Sequence, residues 1–137
     1  MRKTIFLFSI ILLTSCNFSS SEIENRIEED IKLHKKVDFT NLNSFEWDNL
    51  LILTPYSNVD NVGKRYKINL SNVSKAIESD DNINTIVFLS KNRAVKYVEL
   101  SRKFGDFTNV NGIIEKNDAI FKYEKTSEFQ YLNLISK

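Results

Sequence analysis

The sequence predicts an α+β fold in which one N-terminal amphipathic helix packs across an antiparallel sheet of about five strands. Three observations predict it. Isoleucines recur every four residues at Ile23, Ile27 and Ile31. The second half of the chain is a series of β-branched and aromatic runs separated by short polar breaks. No Pro-, Gly- or Ser-rich linker, repeat or low-complexity tract interrupts residues 22–137, which makes that span one globular domain of ordinary size.

The helix begins at a capping box, with Ser21 followed three residues later by Glu24. Behind it the isoleucine stripe faces one way while Glu24, Glu28, Glu29 and Lys32 face the other, so the helix is expected to run to about Lys36 and lay its stripe on a sheet. His34, the only histidine, falls near the helix end, where the helix dipole favours a cation. That position points to a surface role.

From Phe45 the period changes to two. Phe45, Trp47, Leu51 and Leu53 alternate with Glu46 and Asp48, while Leu50 and Ile52 make the second half apolar on both faces. A strand that starts at the rim and ends in the core has this pattern. Thr54-Pro55-Tyr56 stops it, because proline brings no N–H to a ladder. Residues 57–82 are rich in Asn, Ser and Asp and are expected to form one or two helical turns, with Val73, Ala76 and Ile77 at helical spacing behind Ser71 or Asn72 as caps.

Residues 83–89, 94–100, 119–123 and 129–135 then read as strands of an antiparallel meander. Ser90-Lys91-Asn92-Arg93 supplies one hairpin turn and residues 124–128 the other. Between them, residues 104–112 hold Gly105 and Gly112, two of the three glycines, together with Phe104 and Phe107. This reads as a loop whose phenylalanines tuck onto the core, the glycines taking up positive φ.

Little in the sequence points to catalysis. There is no Gly-x-Ser-x-Gly elbow, and the lone histidine has no neighbouring pattern, which argues against a hydrolase triad. One His and one Cys are too few for a zinc signature. Asp80-Asp81-Asn82 offers oxygens without the glycine and distal glutamate of a calcium loop, and three scattered glycines build no phosphate cradle. Neither metal nor cofactor is expected. The candidates that remain are Trp47, Asp48 and Tyr56. A buried Asp48 needs a donor, from Arg65, Arg93 or a backbone amide, and is either a structural pair or the polar floor of a small aromatic pocket formed with Trp47 and Tyr56.

The front of the chain carries a stronger signal. Arg2 and Lys3 precede a nearly unbroken apolar run over residues 5–13. Such a run is too short for a bilayer core, which takes about 20 helical residues, but fits the roughly 7 to 15 of an export signal. Residues 1–15 are therefore set apart from the fold. They end Leu13-Thr14-Ser15-Cys16, which resembles the lipobox of bacterial lipoproteins in every position.

The resemblance implies a diacylglyceryl thioether on Cys16, cleavage before it, and residues 16–21 as a lipidated tether. A thiolate is the nucleophile such chemistry needs. Two or three acyl chains anchor durably where one binds marginally, since each buried methylene contributes about 0.8 kcal/mol. Cys16 is the only cysteine, so no intrachain disulfide supports the fold. Asn17 rather than Asp after the cysteine points to the outer membrane if the organism is Gram-negative.

Charge narrows the partners. Removing Arg2 and Lys3 from 19 basic residues leaves 17 against 18 acidic ones. So balanced a chain has no global field for phosphates, which argues against nucleic acid. Phe45-Glu46-Trp47-Asp48, Pro55-Tyr56 and Phe104-Gly105-Asp106-Phe107 together resemble a group of small uncharacterised bacterial lipoproteins, over about half of the mature span. That resemblance implies an envelope address and no activity. The expectation is a non-catalytic binding or interaction module, with the membrane and an envelope protein as partners. The alternatives are an envelope enzyme with a polar site near Asp48 and Tyr56, and an inhibitor or immunity lipoprotein.

Overall fold

A computed structural model describes residues 21–135, so the expected signal segment, Cys16 and all of the tether before Ser21 lie outside the described residues. The elements run α1 (Ser21–His34), β1 (Lys36–Asp38), β2 (Asn49–Leu53), α2 (Val59–Tyr66), β3 (Ile83–Ser90), β4 (Arg93–Ser101), β5 (Asp106–Thr108), β6 (Ile113–Glu115), β7 (Ile120–Lys125) and β8 (Gln130–Leu134). The class is α+β.

The expectation of one five-stranded sheet is corrected, because the strands form two four-stranded sheets. The first has the order β4-β3-β2-β6 and the second β1-β7-β8-β5. Strands β1, β5 and β6 have three residues each, too short to display an alternation in sequence. The antiparallel meander is corrected as well: β5 runs parallel to β8, and β6 returns to the first sheet to pair with β2.

Burial on both faces of β2 and β3 organises the molecule. On one face Leu50, Ile52, Ile86 and Phe88 meet the isoleucine stripe of α1 and the inner side chains Val37, Phe107, Phe121 and Leu132 of the second sheet. On the other, Leu51, Leu53, Val87 and Leu89 meet Val59 of α2 and Ile68, Leu70, Val73 and Ile77 from the segment that follows it. Each such side chain, fully buried, contributes roughly 1.5–3 kcal/mol. Phe88 is the hub of the first core, its ring meeting Phe39, Phe45 and Trp47 edge-on at centroid distances of 5.6, 5.3 and 5.1 Å.

Three boundaries differ from expectation for local reasons. Helix α1 stops at His34 because Lys35 adopts φ 52°, its N–H bonding the Ile31 carbonyl, and this sends Lys36 into pairing with β7. Strand β2 starts at Asn49 rather than Phe45, since the Trp47 indole N–H reaches back to the Leu42 carbonyl at 2.7 Å and curls the preceding segment. The main helix of residues 57–82 is α2, and the stretch around Val73 contributes only the 3₁₀ turn Ala76–Glu78.

Asn58 caps α2 by accepting from the Asn61 N–H, and Glu78 accepts from the Val59 N–H, each at 2.9 Å. Gly63 weakens the helical pattern in sequence, yet a Cβ there would lie 3.1 Å from the Ile68 carbonyl oxygen. The crossover between the sheets has a similar demand. Gly105 has φ 121°, and a Cβ on it would meet the Gln130–Tyr131 backbone at 3.1 Å. Phe107 then inserts into the first core.

Two substitutions test this packing. Phe88→Ala empties the aromatic hub and is expected to cost about 3–5 kcal/mol in denaturant unfolding; a loss below 1 kcal/mol would contradict the hub. Thr85 is fully buried and its hydroxyl has no hydrogen-bond partner among the described residues. Thr85→Val is therefore expected to raise stability by about 1 kcal/mol, read as a higher melting temperature.

Candidate interaction site

The trio of Trp47, Asp48 and Tyr56 does not converge. Trp47 is 5% exposed and its ring belongs to the first core, where the Lys116 ammonium caps it at 4.8 Å. Asp48 is exposed rather than buried. Its donors are the Lys91 backbone N–H at 3.1 Å and the Asn49 side-chain amide at 2.8 Å, not Arg65 or Arg93. Tyr56 is 65% exposed, with φ 67° and its N–H bonded to the Ile77 carbonyl. Strand β2, about 13 Å long, separates Trp47 and Asp48 from Tyr56. An aromatic pocket with Asp48 as its floor is therefore not formed.

An arginine lies near Tyr56, but its role is to fasten the crossover. Arg102 grips Asp106 through two hydrogen bonds of 2.6 and 2.9 Å and donates to the Asp81 carbonyl at 2.7 Å. The Arg102 guanidinium holds the Asp106 carboxyl below the usual aspartate range despite partial burial. All of the pair's hydrogen-bonding capacity toward each other is used, so it is a strap at the start of β5.

An open concave surface lies elsewhere. A shallow groove of about 680 Å³ runs beside α2, with Ile68 and Leu70 as apolar floor and Asp60, Lys64, Lys67, Asn69 and Asn92 around it. The β3–β4 hairpin closes one side, through Lys91 and Asn92 at φ 50° and 61°. The Asn69 N–H bonds the Asn92 carbonyl at 2.8 Å and the Ala94 N–H bonds the Asn69 carbonyl at 2.9 Å. These bonds bring Lys64 and Lys67 beside Lys91 and Arg93, all four exposed.

Among the described residues, none of these four bases forms a salt bridge. Two acids of this region are engaged. Asp60 is bonded to Lys75 at 2.7 Å, an ion pair that lowers the Asp60 pKa and raises that of Lys75, and Asp48 is held as above. The pattern Lys64-Arg65-Tyr66-Lys67 and Lys91-Asn92-Arg93 was visible in the sequence, but its juxtaposition depends on the bridge between Asn69 and Arg93.

Among the described residues no group of three or more His, Cys, Asp or Glu is placed to hold a metal ion, and no helix is long and apolar enough to cross a membrane. No family model, curated protein or solved structure matches the chain.

The Arg102–Asp106 strap gives a pH prediction. A carboxylate whose folded pKa is lowered contributes stability that is complete above the unfolded value, about 3.9, and lost as pH falls through the folded value. With both side chains about 40% exposed, screening limits the pair to about 0.5–1 kcal/mol at neutral pH. Asp106→Asn is expected to remove that amount, and the parent and variant unfolding curves are expected to converge as pH falls below the aspartate range. A difference that persists at low pH would contradict the assignment.

Proposed function

We propose that the chain is a lipid-anchored cell-envelope protein whose domain acts as a non-catalytic interaction module. The single observation that carries the reading is the order of parts at the front: a basic start, an apolar run too short to span, and Leu13-Thr14-Ser15-Cys16. Helix α1 begins five residues after that cysteine, so the tether is short and the amphipathic helix is the first packed element beyond the lipid. On this reading Cys16 carries the acyl chains, and Asn17 directs the protein to the outer membrane in a Gram-negative envelope.

The interaction part of the reading draws on the site geometry. Trp47 is enclosed in the core, and Asp48 and Tyr56 stand apart on the surface, so the best seed for an enzyme has no convergent groups to do chemistry. The surface does offer a groove with an apolar floor and, beside it, four bases that form no ion pair among the described residues, a combination suited to an anionic partner.

Metabolic labelling with a fatty-acid analogue tests the anchor. The parent chain is expected to incorporate label and mature at Cys16, while Cys16→Ser accumulates as an unlabelled, uncleaved precursor. Equal label in the two would sink the proposal.

A further inference from the structure

We infer that the end of the domain bearing Lys64, Lys67, Lys91 and Arg93 docks onto an anionic lipid surface, which orients the domain on the membrane that anchors it. The inference rests on the reading of Cys16 as the anchor and names the partner of the same basic site.

Its first support is charge separated along the first sheet. Strand β3 is eight residues long, about 23 Å from end to end. The hairpin with Lys91 and Arg93 follows its C-terminal end, and the bridge through Asn69 brings Lys64 and Lys67 to it. At its N-terminal end lie Glu78, Asp80 and Asp81, with Arg102 and Asp106 paired to each other and Lys103 beside them, so the acids there outnumber the bases. The Debye length in physiological salt is about 8 Å, so the two ends do not neutralise each other and the basic end acts as a separate field. A near-zero total charge hides this arrangement.

The second support is where the tether leaves. Helix α1 lies along β4 with its start toward the hairpin: Glu22, Ile23 and Arg26 line a surface hollow with Lys96, three residues from Arg93. Glu28, further along, feels Lys103 beyond the far end of β4. The first turn of α1 is thus nearer the basic end than the acidic one. Five peptide steps separate Cys16 from Ser21, which reach at most about 18 Å. An anchored lipid therefore holds the basic end, not the acidic one, within range of the headgroups.

Other charges at this end are balanced locally and do not reverse the sign. Glu22 lines a hollow with Arg26 and Lys96, and Asp60 is bound to Lys75. Five exposed bases, Lys64, Arg65, Lys67, Lys91 and Arg93, then stand against Asp48, Glu46 and Glu115, none of which forms an ion pair among the described residues. A base near an anionic leaflet contributes about 1 kcal/mol, which is about fivefold in partitioning per charge, so replacing four lowers it by ~100-fold or more.

The test uses the full lipidated chain in vesicles of phosphatidylcholine, alone or mixed with phosphatidylglycerol. A fluorophore is placed through Asn72→Cys near the basic end or through Ser79→Cys at the acidic end, and spin-labelled lipid headgroups serve as quencher. Quenching is expected at Asn72 and not at Ser79 when phosphatidylglycerol is present. The asymmetry is expected to vanish in the combined Lys64→Gln, Lys67→Gln, Lys91→Gln, Arg93→Gln variant, whose melting temperature stays that of the parent, and in high salt. Equal quenching at both ends, asymmetry that survives in the variant, or asymmetry abolished by soluble glycerol phosphate would overturn it, the last pointing to a small-anion site.

Failure of the anchor reads out separately. A chain without lipid does not float with vesicles of phosphatidylcholine alone through Cys16. The patch is then judged with the Cys16→Ser chain, comparing its preference for phosphatidylglycerol vesicles with and without the four glutamines. A ratio of ~100-fold supports the docking surface, and a ratio near one refutes it.

Discussion

Everything else in the domain depends on the first sheet being buried on both faces. In β2 and β3 consecutive residues point to opposite sides, and most of them are apolar: Leu50 and Ile52 on one face, Leu51 and Leu53 on the other, with Ile86, Phe88, Val87 and Leu89 matched against them. A sheet of this kind cannot leave either face to water. It requires two covers, and α1 with the second sheet forms one while α2 with the turns after it forms the other. With no disulfide available within the described residues, these two cores carry the stability.

The second cover explains features that are otherwise puzzling. The Asn- and Ser-rich segment after β2 is not a loose connection, since Val59, Ile68, Leu70, Val73 and Ile77 are spaced to pin it to the sheet at successive points. Its polar residues serve the backbone instead, as with the Asn58 cap and the Asn69 side chain accepting from the Ser71 N–H and hydroxyl. Pinning this segment also carries Lys64 and Lys67 to the hairpin. The basic end is thus a by-product of core packing that becomes an electrostatic feature.

The candidate site shows where pattern reading stops. Alternation around Trp47 and Asp48 correctly marks a passage from rim to core, but a polar residue among apolar neighbours does not reveal which way the backbone curls before the strand begins. The indole's reach to the Leu42 carbonyl turns Trp47 inward and leaves Asp48 to the surface. The basic end was equally hard to see, because Lys64 and Arg93 are 29 positions apart in the chain and their proximity comes from one isolated bridge.

Local chemistry determined what the sequence by itself could convey: an α+β composition, the isoleucine face of α1, the doubly apolar β2 and the hairpin at Lys91-Asn92. Each of these depends on residues within a few positions of one another, so spacing and side-chain type suffice. Tertiary structure alone decided the division into two sheets, the parallel pairing of β5 with β8, and the approach of Lys64 and Lys67 to the β3–β4 hairpin. Those outcomes depend on which distant segments bury the same apolar face, and three-residue strands gain their stability only from such partners.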